Sequence, residues 1–144
     1  MGSKPGKRYD DAEATSSPAH PLKLHLSQNP NQNVITGYGS GYVLINRERY
    51  ESNVIVTAET VVRGWSASSE TDLDEADFLP VIELAPQIVL IGSGLRLRFP
   101  KPAALKGLIF AKIGYEVMDT RAACRTYNIL LEEGRNVAAA LLLA

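Results

Sequence analysis

From Gln87 onward the chain alternates strand-like and helix-like stretches, and that order constrains its fold more than any other feature. "QIVLIGSG" (87–94) is a short continuous apolar run closed by a glycine turn, the pattern of a strand buried on both faces. "KPAALKGLIFAKIG" (101–114) reads as a helix, with Pro102 near its first position and Gly114 past its end. "YEVMD" (115–119) is the next strand, and a helix of about three turns covers Thr120 to Glu133 and stops at Gly134. In "RNVAAALLLA" the Ala and Leu residues favour helix by propensity. The run is short and follows a helix-ending glycine, so Asn136–Leu143 is read as a last core strand. Strands separated by single helices pair through right-handed crossovers, which makes this half α/β.

The first half has a different grammar. "LKLHL" (22–26) alternates like a half-buried strand, with His25 on its solvated face, and "SQNPNQN" is a loop. "VITGYGSGYVLINRERYESNVIVTAETVVRGWS" (34–66) reads as several short strands. Gly39-Ser40-Gly41 supplies one turn and Asn46–Asn53 the next, before the β-branched runs Val54–Thr57 and Val61–Trp65. Trp65 is expected to be a packed aromatic. "SSETDLDEADFLPVIELAP" opens a helix with capping residues and the acids Asp72, Asp74, Glu75 and Asp77, and Pro80 forces a break or restart. "DEAD" here is no helicase signature, since the chain has no phosphate-binding P-loop. "LRLRF" (95–99) is expected to be a short extended arm. The whole implies a three-layer α/β arrangement with the β-rich first half packed alongside.

At 144 residues the chain suits one domain, read as residues 22–144 behind a disordered tail over 1–21. A net charge of -1 gives no surplus to argue for nucleic acid or an anionic membrane. The lone cysteine, Cys124, excludes an internal disulfide, and no stretch is long enough for a transmembrane segment. The first residues lack a secretory apolar run, and Asp10, Asp11 and Glu13 do not suit a mitochondrial presequence, so the expected compartment is the cytoplasm.

If the strands ending at Ile91 and Met118 are parallel, their carboxyl ends share one sheet edge, where ligands of open α/β sheets bind. Gly92, Ser93, Gly94, Asp119 and Thr120 stand there. Gly-Ser-Gly departs from the dinucleotide fingerprint, because Leu97 occupies the third glycine's place and no helix follows directly. The Thr120–Glu133 helix carries its charges backwards, with Arg121 and Arg125 at its positive end and Glu132 and Glu133 at its negative end. Arg121, Arg125, Asn128 and Glu132 share a stripe, opposite Ala123, Thr126, Tyr127 and Leu130 as the expected core face. The partners of these charges therefore lie elsewhere. The arginines can hold an anion, pair with acids such as Asp72, Asp74 or Glu83, or meet another protein. In a partly exposed network Arg125→Ala would cost about 1–2 kcal/mol. Cys124, bordering the stripe near the helix start, is a candidate reactive thiol. A nucleophilic triad would need His25 as its base, and the Cys/His inventory is too thin for a metal site.

"VITGYGSGYVLIN", "LIGSG", "YEVMDTRAACRTYNILLEEGR" and "VAAALL" together resemble the Mth-nine-three-eight-like domain family, over roughly Leu22 to Leu143. That family includes the mitochondrial complex I assembly factor three and the adipogenesis-associated domain proteins. The resemblance implies a three-layer β+α/β/α fold with a central mixed sheet whose last strand is antiparallel. The positions it singles out are Gly92, Gly94, Asp119, Thr120, Arg125, Asn128, Glu132, Gly134 and Arg135. It brings no established catalytic activity and no cofactor. It implies a non-enzymatic role with protein partners, respiratory-complex subunits among the candidates. The alternative expectation is a small-anion binder or enzyme at the strand ends.

Overall fold

The computed structural model describes residues 20–21, 31–66 and 73–143. The strand expected at Leu22–Leu26, with His25, and most of the tail lie outside the described residues, as does Asp72. His20–Pro21, placed in the tail on sequence grounds, form a short strand β1 that pairs with Tyr38 and Gly37.

β2 (Ile35–Gly39), β3 (Tyr42–Ile45) and β4 (Glu48–Tyr50) complete a four-stranded antiparallel sheet in the order β1-β2-β3-β4. The β2–β3 turn falls at Ser40-Gly41, where Gly41 has φ 79°. Gly39 lies beneath the Tyr42 ring, and a Cβ there would come within 2.6 Å of it. The turn expected within Asn46–Asn53 is made by Asn46 and Arg47 alone, with φ of 51° and 70°, and β4 follows at once. Two successive left-handed residues match the twist of a two-residue hairpin, which shortens the loop.

β5 (Val54–Thr57), β6 (Val61–Arg63), β7 (Ile88–Gly92), β8 (Gly114–Met118) and β9 (Val137–Leu141) form the central sheet in the order β6-β5-β9-β7-β8. β7 is parallel to both β8 and β9, while β5 is antiparallel to β6 and β9. The sheet is therefore mixed, and its last strand is antiparallel on the β5 side only.

Between β6 and β7 lie a 3-10 helix (Glu75–Phe78) and α1 (Leu79–Leu84), with Pro80 in the first turn of α1, so the restart expected at the proline is present. The acids before it cap: Asp74 accepts from Ala76 N–H, and Asp77 accepts from Asp74 N–H. A 3-10 turn (Pro102–Leu105) and α2 (Lys106–Phe110) link β7 to β8. The residue that reverses the chain after α2 is Lys112, with φ 61°, whereas Gly114 already belongs to β8. α3 (Thr120–Glu132) links β8 to β9.

Alternation along the central strands divides the core into two layers. Val54, Val56, Leu90, Ala139 and Leu141 face α3 and the small sheet, where Tyr127, Cys124, Ile35 and Ile45 meet them. Ile55, Val89, Ile91, Ala138 and Ala140 face the other helices, against Phe78, Val81 and Leu108. This is the β+α/β/α order. Three alanines in the central strand keep that strand thin, so both outer layers can approach it. Trp65 is buried as expected, its Nε1–H donating to the Asp77 carbonyl at 2.7 Å. No helix among the described residues is long and apolar enough to cross a membrane.

Candidate functional site

The parallel strands end together, as the alternation required. Ser93 N–H donates to the Met118 carbonyl, Leu142 N–H to the Gly92 carbonyl, and Thr120 N–H to the Gly94 carbonyl. Thr120 is the clasp: its Oγ1 accepts from Gly94 N–H at 2.8 Å and donates to the Leu142 carbonyl at 2.6 Å. Gly92 must stay small, because a Cβ would stand 2.9 Å from Thr120 Oγ1 and 3.0 Å from Leu141. Gly94, at φ 103°, supplies the backbone reversal. Ser93 is buried, its Oγ donating to the Arg96 carbonyl and accepting from Arg98 N–H. Asp119 caps α3 by accepting from Ala122 N–H at 2.9 Å. These polar groups are occupied in tying one sheet edge together.

A cleft of about 150 Å³ opens above that edge, roofed by the β2–β3 turn. Tyr38, Gly39, Ser40, Gly41 and Tyr42 line one side, and Gly94, Leu95, Thr120, Arg121 and Leu143 the other. Of the residues expected at a site, it gathers Gly94, Thr120 and Arg121. The hairpin residues were missed, although "YGSGY", two tyrosines framing glycines, was a visible signal of close backbone approach.

Tyr38 also supplies the partner of the two arginines at the start of α3. Arg125 donates to Tyr38 Oη at 2.8 Å, and the Arg121 guanidinium lies 5.9 Å from the Tyr38 ring centre. The arginines therefore meet an aromatic residue of the small sheet and tie the two elements together. Arg125 is exposed and shares one neutral partner. Arg125→Ala is accordingly expected to cost only about 0.5–1 kcal/mol in urea unfolding, less than a partly buried network would demand. Tyr38→Phe should cost a similar amount, with the double variant no worse than either alone.

The rest of the α3 stripe does not converge on the cleft. Asn128 faces β2, its Oδ1 accepting from Ile35 N–H and its Nδ2 donating to the Ile35 carbonyl. Glu132 is exposed and, at ~1.5 Å per residue, about 18 Å along the helix from Thr120. Gly134, at φ 80°, and Arg135 end the helix: Gly134 N–H donates to Leu131 and Arg135 N–H to Leu130.

The core face is Ala123, Cys124, Tyr127 and Leu131, one step round from the expected Thr126 and Leu130. Cys124 thus stands in the core, and the reactive-thiol expectation is corrected. Burial pushes its pKa up to about 12, against a smaller lowering by Arg125 and a further raising by Asp119. Because the folded chain holds this proton longer than the unfolded chain, stability is full below about pH 9 and falls as pH rises towards 12. Urea unfolding should show a loss approaching ~1 kcal/mol per pH unit there. Cys124→Ala should remove the slope between about pH 9 and 10, while above about pH 10 Tyr127, whose pKa burial also raises, continues the loss of stability as the pH climbs.

A family model described as a protein of unknown function (DUF498/DUF598) matches residues 35–142. The protein of Bos taurus named NADH dehydrogenase (ubiquinone) 1 alpha subcomplex assembly factor 3 is 32% identical over 123 residues, which are 84% of this chain and 66% of that one. The match thus spans just under two thirds of that relative's length. A crystal structure of a Bordetella parapertussis protein superposes with a TM-score of 0.73 at 36% identity, covering 78% of this chain and 97% of that one. A solution structure of a Bordetella pertussis protein, described as a Mth938-like domain, gives a TM-score of 0.72 at 30% identity, over 85% and 92% of the two chains.

Proposed function

The chain belongs to the DUF498/DUF598 family of proteins of unknown function, and on that premise we propose that it is a non-catalytic, protein-binding domain acting as an assembly factor. The observation that carries the proposal is its 32% identity, over 84% of its length, to a protein named as an assembly factor. The site geometry supports it. Thr120, Ser93 and Asn128 are engaged by backbone groups, and Arg121, at the cleft, and Arg125 stand exposed beside the buried Tyr38. Rigid aromatic and arginine side chains are enriched where proteins meet. The sequence stripe offered an anion two arginines and an amide; the cleft retains Arg121 alone of these. The proposal keeps the chain in the cytoplasm, where its single cysteine stays reduced.

Affinity capture with the tagged full chain from its native cells tests the reading. The expected result is a reproducible protein partner, with respiratory-complex subunits as candidates, that is lost from an Arg121→Glu/Arg125→Glu variant. Failure to recover any reproducible protein partner would overturn it.

A further inference from the structure

The chain's net charge of -1 hides a segregation. Between Glu83 and Glu116 there is no acidic residue, and five basic ones fall there: Arg96, Arg98, Lys101, Lys106 and Lys112. With +5 in that stretch and -1 in total, the rest of the chain carries -6. All five cations are exposed. They lie in the β7–β8 connection, which also exposes Leu95 (70%), Leu97, Phe99 (70%), Ile109 and Phe110 (90%). Those are five of the eight large apolar side chains exposed among the described residues.

The exposed arm is held in place. Ser93 Oγ bonds both Arg96 and Arg98 backbone groups, and Pro100 is buried at the far end. Leu95, Leu97 and Phe99 are thus presented by a closed loop, with guanidinium groups between them. Further on, Leu105 and Leu108 turn inward on the core, and the exposed Ile109 and Phe110 stand at the opposite end of the sheet, where β8 begins.

We infer that the arm of this connection, Leu95–Lys101, docks on the surface of an anionic membrane, its Leu and Phe side chains entering the interface and its Arg and Lys side chains meeting lipid phosphates. Exposed apolar side chains flanked by basic ones are the composition of interfacial binding, and each basic residue near an anionic surface contributes about fivefold in affinity. A second copy of the chain suits this face poorly, because a two-fold contact would set like charges together. The inference does not rest on the assembly role: Leu95 also lines the cleft beside Arg121, but Arg96, Leu97, Arg98 and Phe99 do not.

Cosedimentation of the full chain with vesicles tests it. Vesicles of phosphatidylcholine with about 30% phosphatidylserine should bind at least ~10-fold better than phosphatidylcholine alone, and about 1 M salt should reverse most of the difference. Arg96→Glu/Arg98→Glu and Leu95→Ser/Leu97→Ser/Phe99→Ser should each weaken binding about 10-fold or more, with thermal unfolding confirming that both remain folded. Ile129→Ser, a change at another exposed apolar side chain, on α3, should bind as the wild type does. Absence of anionic-vesicle binding, or binding indifferent to both arm variants, overturns the inference. So does a vesicle-free dimer that the serine variant dissociates, or a polyglutamate peptide that binds the arm as tightly as the vesicles.

Discussion

Thr120→Val is expected to cost the fold about 3 kcal/mol, although valine has nearly the shape of threonine. The side chain is almost wholly buried and its hydroxyl is doubly engaged, accepting from Gly94 N–H and donating to the Leu142 carbonyl. Valine leaves both groups buried without their partner. Each orphaned group costs roughly 1–3 kcal/mol, and little packing is lost to obscure the effect. The bonds join the ends of β7, α3 and β9, so the damage should also loosen the cleft floor. Urea unfolding measures the cost, and Thr120→Ser, which keeps the hydroxyl, should stay within about 1 kcal/mol of the wild type. A valine variant that loses less than the serine variant would show that the clasp is dispensable.

The α/β half was legible because its signals are local. Apolar runs of strand length, Pro102 at a helix start and Gly134 at a helix end each follow from one stretch of chain. The small sheet was harder. β4 is three residues long and has only Tyr50 buried, so Glu48-Arg49-Tyr50 carries too little pattern to separate it from a turn. On α3 an error of one position decided the fate of Cys124. The stripe was drawn from charged residues, but the buried face is set by where β2 and the central sheet press on the helix.

The candidate site was legible at its floor and illegible at its roof. Gly92, Ser93, Gly94, Asp119 and Thr120 come from the strand ends, which sequence order brings to one edge. The Tyr38–Tyr42 hairpin reaches the same cleft through tertiary packing alone, across roughly 80 residues from Thr120. The partner of Arg121 and Arg125 was invisible for the same reason. A search for opposite charge finds acids, whereas the fold supplies a tyrosine. Net charge misled similarly, because it averages a basic connection against an acidic stretch that precedes it, between Glu48 and Glu83.

Asn128→Leu is expected to destabilise the fold by about 3–4 kcal/mol, and it tests whether α3 holds the small sheet in place. Ile35 is fully buried, and the β2–β3 register shifts between Ile35 and Gly37. At that irregularity the Asn128 amide does the work of a neighbouring strand: it accepts from Ile35 N–H at 3.0 Å and donates to the Ile35 carbonyl at 2.7 Å. Leucine, similar in size, removes both bonds and strands both backbone groups, at roughly 1–3 kcal/mol each. Asn128→Asp separates the two halves of this bond. Its carboxylate can still accept from Ile35 N–H but faces the Ile35 carbonyl with negative charge. Protonation restores a donor, so the folded state favours the protonated acid and raises its pKa. The aspartate variant should therefore regain stability as pH falls through the carboxylate range, while the leucine variant shows no such recovery. Urea unfolding at neutral and acid pH reads both. A leucine variant within about 1 kcal/mol of the wild type would mean that water can replace the amide, and that β2 is held by apolar packing alone.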